Sequence, residues 1–177
     1  FPLVAPPEFY YRYPHERIAL PKLYENRPAH HPYLRDYDGC VAYDLGFGGD
    51  HAKVRRAIAG YLGLVSFMDD NVGKVLAALE ESGLAGETRV VYTSDHGDNV
   101  GARGLWGKSP MYEESAGVPL VVAGPGVPAG SRCAVPVSHV DLFPFFLESL
   151  GCPPPNGYHG VSPLALSARW VSAIALT

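Results

Sequence analysis

One long apolar repeat constrains the fold of this chain more than any other feature. Between residues 52 and 82, apolar side chains recur at steps of three and four residues, the spacing that lines one face of an α-helix. The repeat comprises Val54, Ile58, Tyr61, Leu62, Val65, Met68, Val72, Val75, Leu76 and Leu79. Gly83 follows, where helices commonly end on a glycine. The sequence therefore predicts a helix over residues 52–82.

Three glycines interrupt this repeat. Gly60, Gly63 and Gly73 each cost roughly 1 kcal/mol of helix propensity relative to alanine. A helix that keeps such residues usually packs closely against a neighbouring element, and we expect the same for these three.

The segments after this helix complete an α/β pattern. Residues 89–93 form a short β-branched and aromatic run of strand length. A second apolar run, residues 118–123, is continuous rather than alternating, which is typical of a strand buried on both faces. Residues 137–151 are predicted to form another helix, with Pro144 tolerated near its first turn. The predicted fold class is α/β, and we expect the strands to be parallel.

Proline and glycine divide the remainder of the 177 residues. Prolines at positions 2, 6, 7, 14 and 21 argue against a long helix or a central strand near the start. We therefore predict a loop-rich strap over residues 1–51, an α/β part over residues 52–166 and a divergent tail over residues 167–177. The tail contains an apolar segment with no evident partner.

Composition excludes some classes of partner. The formal net charge is −4, without a basic stripe, so nucleic acid is not an expected partner. No apolar run approaches the roughly 18 residues of a membrane span. Cys40, Cys133 and Cys152 are far apart and odd in number, which predicts neither a disulfide framework nor a Cys-x-x-Cys metal site. A homo-oligomer and either a cytoplasmic or a periplasmic location remain open.

Asp95 and His96 follow the first predicted strand directly. Ligands of open α/β sheets gather at the carboxyl ends of the strands. A carboxylate beside a neutral imidazole suits a divalent metal such as Mn²⁺ or Zn²⁺, and oxygen-richer sites favour Ca²⁺ or Mg²⁺. Taken alone, such a pair is more often a turn aspartate with a half-buried histidine.

Lys108 shifts that balance towards a functional site. It lies twelve positions after His96, on a loop flanked by glycines. A lysine supplies a point charge for an anionic oxygen or a proton for a leaving group. Together with Asp95 and His96, it predicts a site for a sulfuryl or phosphoryl group.

Other polar residues near this loop have two interpretations each. Arg103 is a second candidate contact for an anionic substrate, or else a surface residue. Asp98 and Asn99 are either turn residues or supports of the metal ligands. Glu113 and Glu114 are expected to cap or solvate a helix that begins after Pro110.

The segment "YTSDHGDNVGARGLWGKSPMYEESAGVPLVVAGPG" resembles the C-terminal signature of the sulfatase family, in the alkaline-phosphatase-like superfamily. Its Ser-Asp-His-Gly is most similar to the choline sulfatase and phosphonate monoester hydrolase branch. The segments "YLGLVSFMDDNVGKVLAALEESGLAGET", "VSHVDLFPFFLESLG" and "FPLVAPPEFYYRYPHERIALP" resemble further parts of the family. The resemblance covers residues 1–164.

The resemblance implies part of an alkaline-phosphatase-like sandwich, with a mostly parallel sheet flanked by helices. It also implies hydrolysis of a sulfate ester at a divalent metal, Ca²⁺, Mn²⁺ or Zn²⁺. By it, Asp95 and His96 match two metal ligands and Lys108 matches the lysine that contacts the sulfate. Hydrolysis of a phosphonate monoester or a phosphodiester is the alternative activity.

One part of the family pattern is absent from the sequence. The family carries its nucleophile, a formylglycine made from cysteine or serine, in a Cys- or Ser-x-Pro-x-Arg motif, and none is present. The chain also begins at Phe1, where a His-x-Pro motif would precede it. We therefore expect a C-terminal fragment whose N-terminal portion is missing. A non-catalytic, sulfatase-like remnant is the other possibility.

Overall fold

The protein is described by a computed structural model that places residues 3–25, 31–33, 35, 47, 49–108, 111–165 and 170–172. Two compact units are present. The first lies within residues 1–81 and 93–120, and the second within residues 82–92 and 121–177. The predicted site residues, from Asp95 to Lys108, all belong to the first unit.

Unit 1 is built on one long helix. A short helix, α1, spans Pro7–Tyr10, and α2 spans His51–Glu81, which confirms the predicted helix. Asp50 caps α2, because its Oδ1 accepts hydrogen bonds from the backbone amides of Ala52 and Lys53 at 3.0 and 3.1 Å. The amide of Lys53 is the main reason that the pKa of Asp50 lies below its ordinary value. The carboxylate thereby pairs amides that the first helical turn leaves without partners.

The segment before α2 packs against the helix where two glycines leave room for it. A Cβ at Gly60 would overlap with the carbonyl oxygen of Leu3, and one at Gly63 would lie 2.8 Å from Cβ of Ala5. The close packing predicted for these two glycines is confirmed. The same prediction was wrong for Gly73, where an added Cβ would meet no described atom within 4 Å.

The core of unit 1 joins the segment before α2, the helix itself and the loop that carries the predicted site. Its buried residues are Tyr24, Val54, Ile58 and Trp106. Farther along α2 the apolar face is less covered, and Val75 is 69% exposed. Among the described residues, the stripe predicted along the whole helix is therefore buried mainly near its start.

Two strands frame the site loop. Strand β1, Val90–Thr93, is hydrogen-bonded to β2, Leu120–Ala123, and a single helical turn, α3, spans Glu113–Ala116 between them. Both predicted strands are confirmed. The prediction that the second is buried on both faces was wrong, since its burial alternates and Val121 is 56% exposed. Successive side chains of a strand point to opposite faces of the sheet, so this alternation shows that one face of β2 is less covered by the described residues.

Unit 2 contains a second pair of strands. Strand β3, Ser131–Cys133, pairs antiparallel with β4, Trp170–Ser172. The sequence predicted no strand at residues 131–133 and no partner for the apolar segment of the tail, and both predictions are corrected by this pairing. Helix α4, Leu142–Ser149, follows a 3-10 turn at His139–Asp141 and confirms the helix predicted over residues 137–151.

The described residues contain no disulfide bond and no candidate membrane-spanning helix. Cys133 and Cys152 are exposed free thiols, and Cys40 lies outside the described residues. None of the helices placed by the structure combines the length and the apolar character that a membrane span requires.

Candidate metal and anion site

Asp95 and His96 lie in the turn that directly follows β1, at the place the sequence predicted. Oγ of Ser94 donates a hydrogen bond to the carbonyl oxygen of His96 at 2.7 Å. Oδ1 of Asp95 accepts one from the backbone amide of His96 at 3.0 Å. These local bonds fix the turn, while the Asp95 side chain stays 80% exposed. Its second carboxylate oxygen is accessible to a ligand.

The imidazole of His96 is oriented by its neighbours. Its Nδ1 lies 2.8 Å from the carbonyl oxygen of Gly97, and a carbonyl can only accept, so Nδ1 carries the proton. The other nitrogen, Nε2, lies 3.2 Å from Oδ2 of Asp95. In the neutral ring these are two lone-pair atoms that face each other. A metal ion held by both atoms would relieve their repulsion. The pair therefore fits two ligands of a metal site.

In the loop after His96, the side chains of Asp98 and Asn99 form hydrogen bonds with backbone groups of the same loop. Oδ1 of Asp98 accepts hydrogen bonds from the amides of Val100 and Gly107 at 2.8 and 3.0 Å. Asn99 is buried and donates twice to the carbonyl oxygen of Gly107, from its backbone amide at 2.9 Å and from Nδ2 at 2.6 Å. Both residues thus have the turn-forming role, and they fix the position of the residue before Lys108.

Arg103 is buried rather than on the surface. It is 8% exposed, and its Nη1 donates to Oε2 of Glu114 at 2.8 Å. The guanidinium also lies 4.1 Å from the ring centre of Tyr112. The hydrogen bond from Arg103 is the first cause of a pKa of Glu114 below its ordinary value. The surface alternative for Arg103 and the solvated role of Glu114 were therefore wrong.

Lys108 is held through its backbone. Its side chain is exposed and, within the described residues, makes no ion pair or hydrogen bond. Its carbonyl oxygen accepts a hydrogen bond from Oγ of Ser115 at 2.5 Å. The carbonyl oxygen of Ser115 in turn accepts one from the amide of Gly97 at 2.8 Å. Asp95 and His96 are thus linked to Lys108 through Ser115, with no direct side-chain contact among the described atoms.

Ser115 is the functional candidate that sequence reasoning missed. A serine between two glutamates and Ala-Gly carries no pattern of its own, and its importance arises from contacts with residues distant in sequence. The one sequence signal that could have pointed to Ser115 was its position in the "YEESAGVP" segment, seven residues after Lys108.

Among the described residues, the donor set is too small for a closed metal site. No group of three or more His, Cys, Asp or Glu side chains suited to one metal ion occurs among the described residues. Catalytic zinc sites take three protein ligands, and hard cations take six or more oxygens. Two donors such as Asp95 and His96 do not by themselves close a metal site.

Comparison with known proteins gives consistent results. The family model described as Sulfatase matches residues 5–152. Arylsulfatase K from Danio rerio is 33% identical over 155 residues, which is 88% of this chain and 29% of that protein. Choline-sulfatase from Rhizobium meliloti (strain 1021) is 38% identical over 99 residues, 56% of this chain and 19% of that one.

Among solved structures, the phosphonate monoester hydrolase SpPMH from Silicibacter pomeroyi superposes with a TM-score of 0.84 at 30% identity. The match covers 99% of this chain and 36% of that chain. These likenesses support the predicted α/β class. The chain spans less than a third of the length of the two curated relatives named above.

Proposed function

Because this chain belongs to the sulfatase family, we propose that it contributes part of the active site of an enzyme that hydrolyses sulfate esters. In this proposal Asp95 and His96 are metal ligands and Lys108 contacts the sulfuryl group. The observation that carries it is the facing pair of Nε2 of His96 and Oδ2 of Asp95, 3.2 Å apart, in a turn that fixes both residues.

The metal that fits these two side chains is Ca²⁺, Mn²⁺ or Zn²⁺. When bound, such an ion supplies a Lewis acid that polarises the anion and anchors the nucleophile. The remaining ligands come from outside the 177 residues in our proposal, because two donors do not close a shell. The nucleophile is placed outside as well, since no Cys- or Ser-x-Pro-x-Arg motif is present.

The proposed role of Lys108 is electrostatic. Cleavage of the ester breaks the S–O bond to the leaving alcohol while the nucleophile bonds to sulfur. The electron pair of the broken bond goes to the leaving oxygen, where negative charge grows. An exposed ammonium without a partner among the described residues is available to stabilise that charge. Arg103 is the weaker of the two predicted substrate contacts, because Glu114 and Tyr112 already engage its guanidinium.

The proposal extends to the fold. We place β2 in a mostly parallel sheet that is flanked by helices and contains more strands than this chain supplies. Such a sheet would explain the apolar run of β2. That run is continuous in sequence, yet Val121 is 56% exposed. A further layer of the same domain would cover the exposed side chain of Val121.

Hydrolysis of phosphonate monoesters or phosphodiesters is the second candidate. It is favoured by the superposition on a phosphonate monoester hydrolase with a TM-score of 0.84. A non-catalytic, sulfatase-like protein is the third possibility. Matched aryl sulfate, aryl phosphonate and bis-aryl phosphate esters separate the three, since the preferred ester identifies the activity and the absence of turnover on all of them favours the last.

Substitution tests the residues. In the active protein that contains this chain, we expect Asp95→Ala and His96→Ala to lower kcat/KM by more than about 100-fold and to lower the bound metal measured by atomic emission. We expect Lys108→Ala to lower kcat/KM by about 100- to 1,000-fold without loss of metal. Asp70→Ala and Lys74→Ala are matched controls, because these residues form a surface ion pair on α2. Unchanged activity and metal content in the Asp95 and His96 variants would refute the assignment.

A further inference from the structure

We propose that Ser115 is a positioning residue that holds Lys108 on the same backbone frame as the Asp95–His96 pair. The inference rests on the proposed function and extends it to a residue that touches neither metal nor substrate. Ser115 is 3% exposed, so it acts through its neighbours.

Two hydrogen bonds on one residue create the link. Oγ of Ser115 donates to the carbonyl oxygen of Lys108 at 2.5 Å. The backbone carbonyl of the same serine accepts from the amide of Gly97 at 2.8 Å. One bond fixes the backbone of the lysine, and the other fixes the residue next to His96. A shift of Ser115 would therefore move both halves of the site together.

The turn that carries Ser115 is itself braced. The amide of Ser115 donates to the carbonyl oxygen of Tyr112 at 2.9 Å. Glu114, beside it, is paired with the buried Arg103. Gly97 packs so closely on this turn that a Cβ there would overlap with the carbonyl oxygen of Glu114. The frame around the serine thus has little freedom to relax.

The hydroxyl matters because, among the described residues, it is the hydrogen-bond partner that holds Lys108. Gly107 is bound by Asp98 and Asn99, which fixes the chain only up to that glycine. The Lys108 side chain is exposed and has no partner among the described residues. Removal of the Ser115 hydroxyl frees the lysine carbonyl and widens the range of positions open to the ammonium. A misplacement of about 1 Å at a reacting group costs up to about 100-fold in rate.

The first test is Ser115→Ala in the active protein. We expect kcat to fall by about 10- to 100-fold, with a smaller change in KM and with unchanged metal content. The metal is unaffected because the backbone carbonyl that binds Gly97 remains. The matched control is Ser162→Ala in unit 2, another buried serine, whose Oγ accepts from the amide of Leu164 at 3.2 Å. The control should lose a comparable amount of thermal stability and keep its kcat.

A double-mutant cycle separates positioning from a merely structural role. In a Lys108→Ala background, Ser115→Ala should lower kcat by less than about twofold, because the group that it positions is gone. Ser115→Thr, which keeps a hydroxyl, should recover most of the rate. Additive losses, or a kcat of Ser115→Ala equal to that of the unsubstituted protein, would overturn the proposal.

The test remains decisive if the proposed function fails. Should the unsubstituted protein hydrolyse none of the esters, the enzymatic proposal falls while hydrogen exchange still tests the frame. Peptides that cover residues 98–108 should exchange faster in Ser115→Ala than in Ser162→Ala or the unsubstituted protein. Equal exchange in all three proteins would refute the positioning role.

Discussion

Gly97 packs so closely against α3 that a larger side chain at this position would overlap with the backbone of that helix. A Cβ there would overlap with the carbonyl oxygen of Glu114 and approach that of Gly117 to 3.4 Å. Both are backbone atoms that cannot move aside as a flexible side chain does. We expect Gly97→Ala to lower the free energy of unfolding by about 1–3 kcal/mol, the usual cost of overpacking. Urea denaturation monitored by circular dichroism measures this change.

Gly73 provides the matched control for that substitution. It lies inside α2, and a Cβ there would meet no described atom within 4 Å. Gly73→Ala should therefore raise the free energy of unfolding by about 1 kcal/mol through helix propensity alone. The contact argument fails if both alanine variants shift stability in the same direction.

Glu114 connects the stability of the site loop to pH. Its folded-state pKa is lowered, first by the hydrogen bond from Arg103. A carboxyl group with a depressed folded pKa stabilises the fold above its unfolded pKa, and that contribution disappears as pH falls through the folded value. We expect Glu114→Gln to cost about 1–3 kcal/mol near pH 7. The cost should shrink steadily below about pH 4.5, the ordinary pKa of a glutamate side chain. Denaturation at a series of pH values measures it.

The exposed Glu148 on α4 serves as the comparison for Glu114. Glu148→Gln should change stability by less than about 0.5 kcal/mol at every pH. If the loss of unfolding free energy in Glu114→Gln stayed constant between pH 7 and pH 3, the Arg103–Glu114 ion pair could not be its cause. Protonation of Glu114 would remove the contribution of that ion pair.

Single residues also show how far sequence reasoning reaches. The positions of Asp95 and His96 were predictable, because a strand end and two donor side chains are local features. The burial of Arg103 was not, since it depends on Glu114 and Tyr112, about ten positions away in sequence. The role of Ser115 was equally hidden, because its two hydrogen bonds join Lys108 and Gly97 only after the loop has folded.

The 3-10 turn before α4 depends on one aspartate. Oδ2 of Asp141 accepts from the amide of Ser138 at 2.7 Å, and Oδ1 accepts from the amide of Val161 at 2.8 Å. The same carboxylate thus completes a capping box and fastens a distant loop. We expect Asp141→Ala to cost about 1–2 kcal/mol of unfolding free energy, measured by urea denaturation. Asp141→Asn, which keeps one acceptor oxygen, should lose less; an equal loss would argue against the hydrogen bonds.

Among the elements, length and period decided what could be predicted. Helix α2 and strands β1 and β2 were found because their apolar residues recur over several turns or form a compact run. Strands β3 and β4 have three residues each, too few for a period to appear. Their pairing joins residues about forty positions apart, and only the folded chain reveals such contacts. The burial of β2 was overestimated because a continuous apolar run does not show what packs over each face of the strand in this chain.

For the molecule as a whole, the family is established, whereas a complete active site is not. The match over residues 5–152 identifies the family, whereas the roles of Asp95, His96 and Lys108 stay predictions. The described residues contain no group of three or more side chains suited to one metal ion, and the chain covers only 29% of arylsulfatase K from Danio rerio. The catalytic proposal therefore concerns an assembly of these residues with others, and metal binding is the property that best tests this.

We expect the 177 residues alone to bind divalent metals weakly. Closed structural zinc sites in small peptides gain about 10–16 kcal/mol on binding. An exposed pair of ligands should gain no more than about half of that, about 5–8 kcal/mol, which corresponds to a dissociation constant of about 1 μM or weaker. Calorimetric titration with Ca²⁺, Mn²⁺ and Zn²⁺ measures this, with Asp95→Ala as the control that should abolish the remaining signal. The protein with its complete ligand set should bind at least one of these ions far more tightly. Submicromolar binding by the 177 residues alone would show that Asp95 and His96 are not the partial shell proposed above.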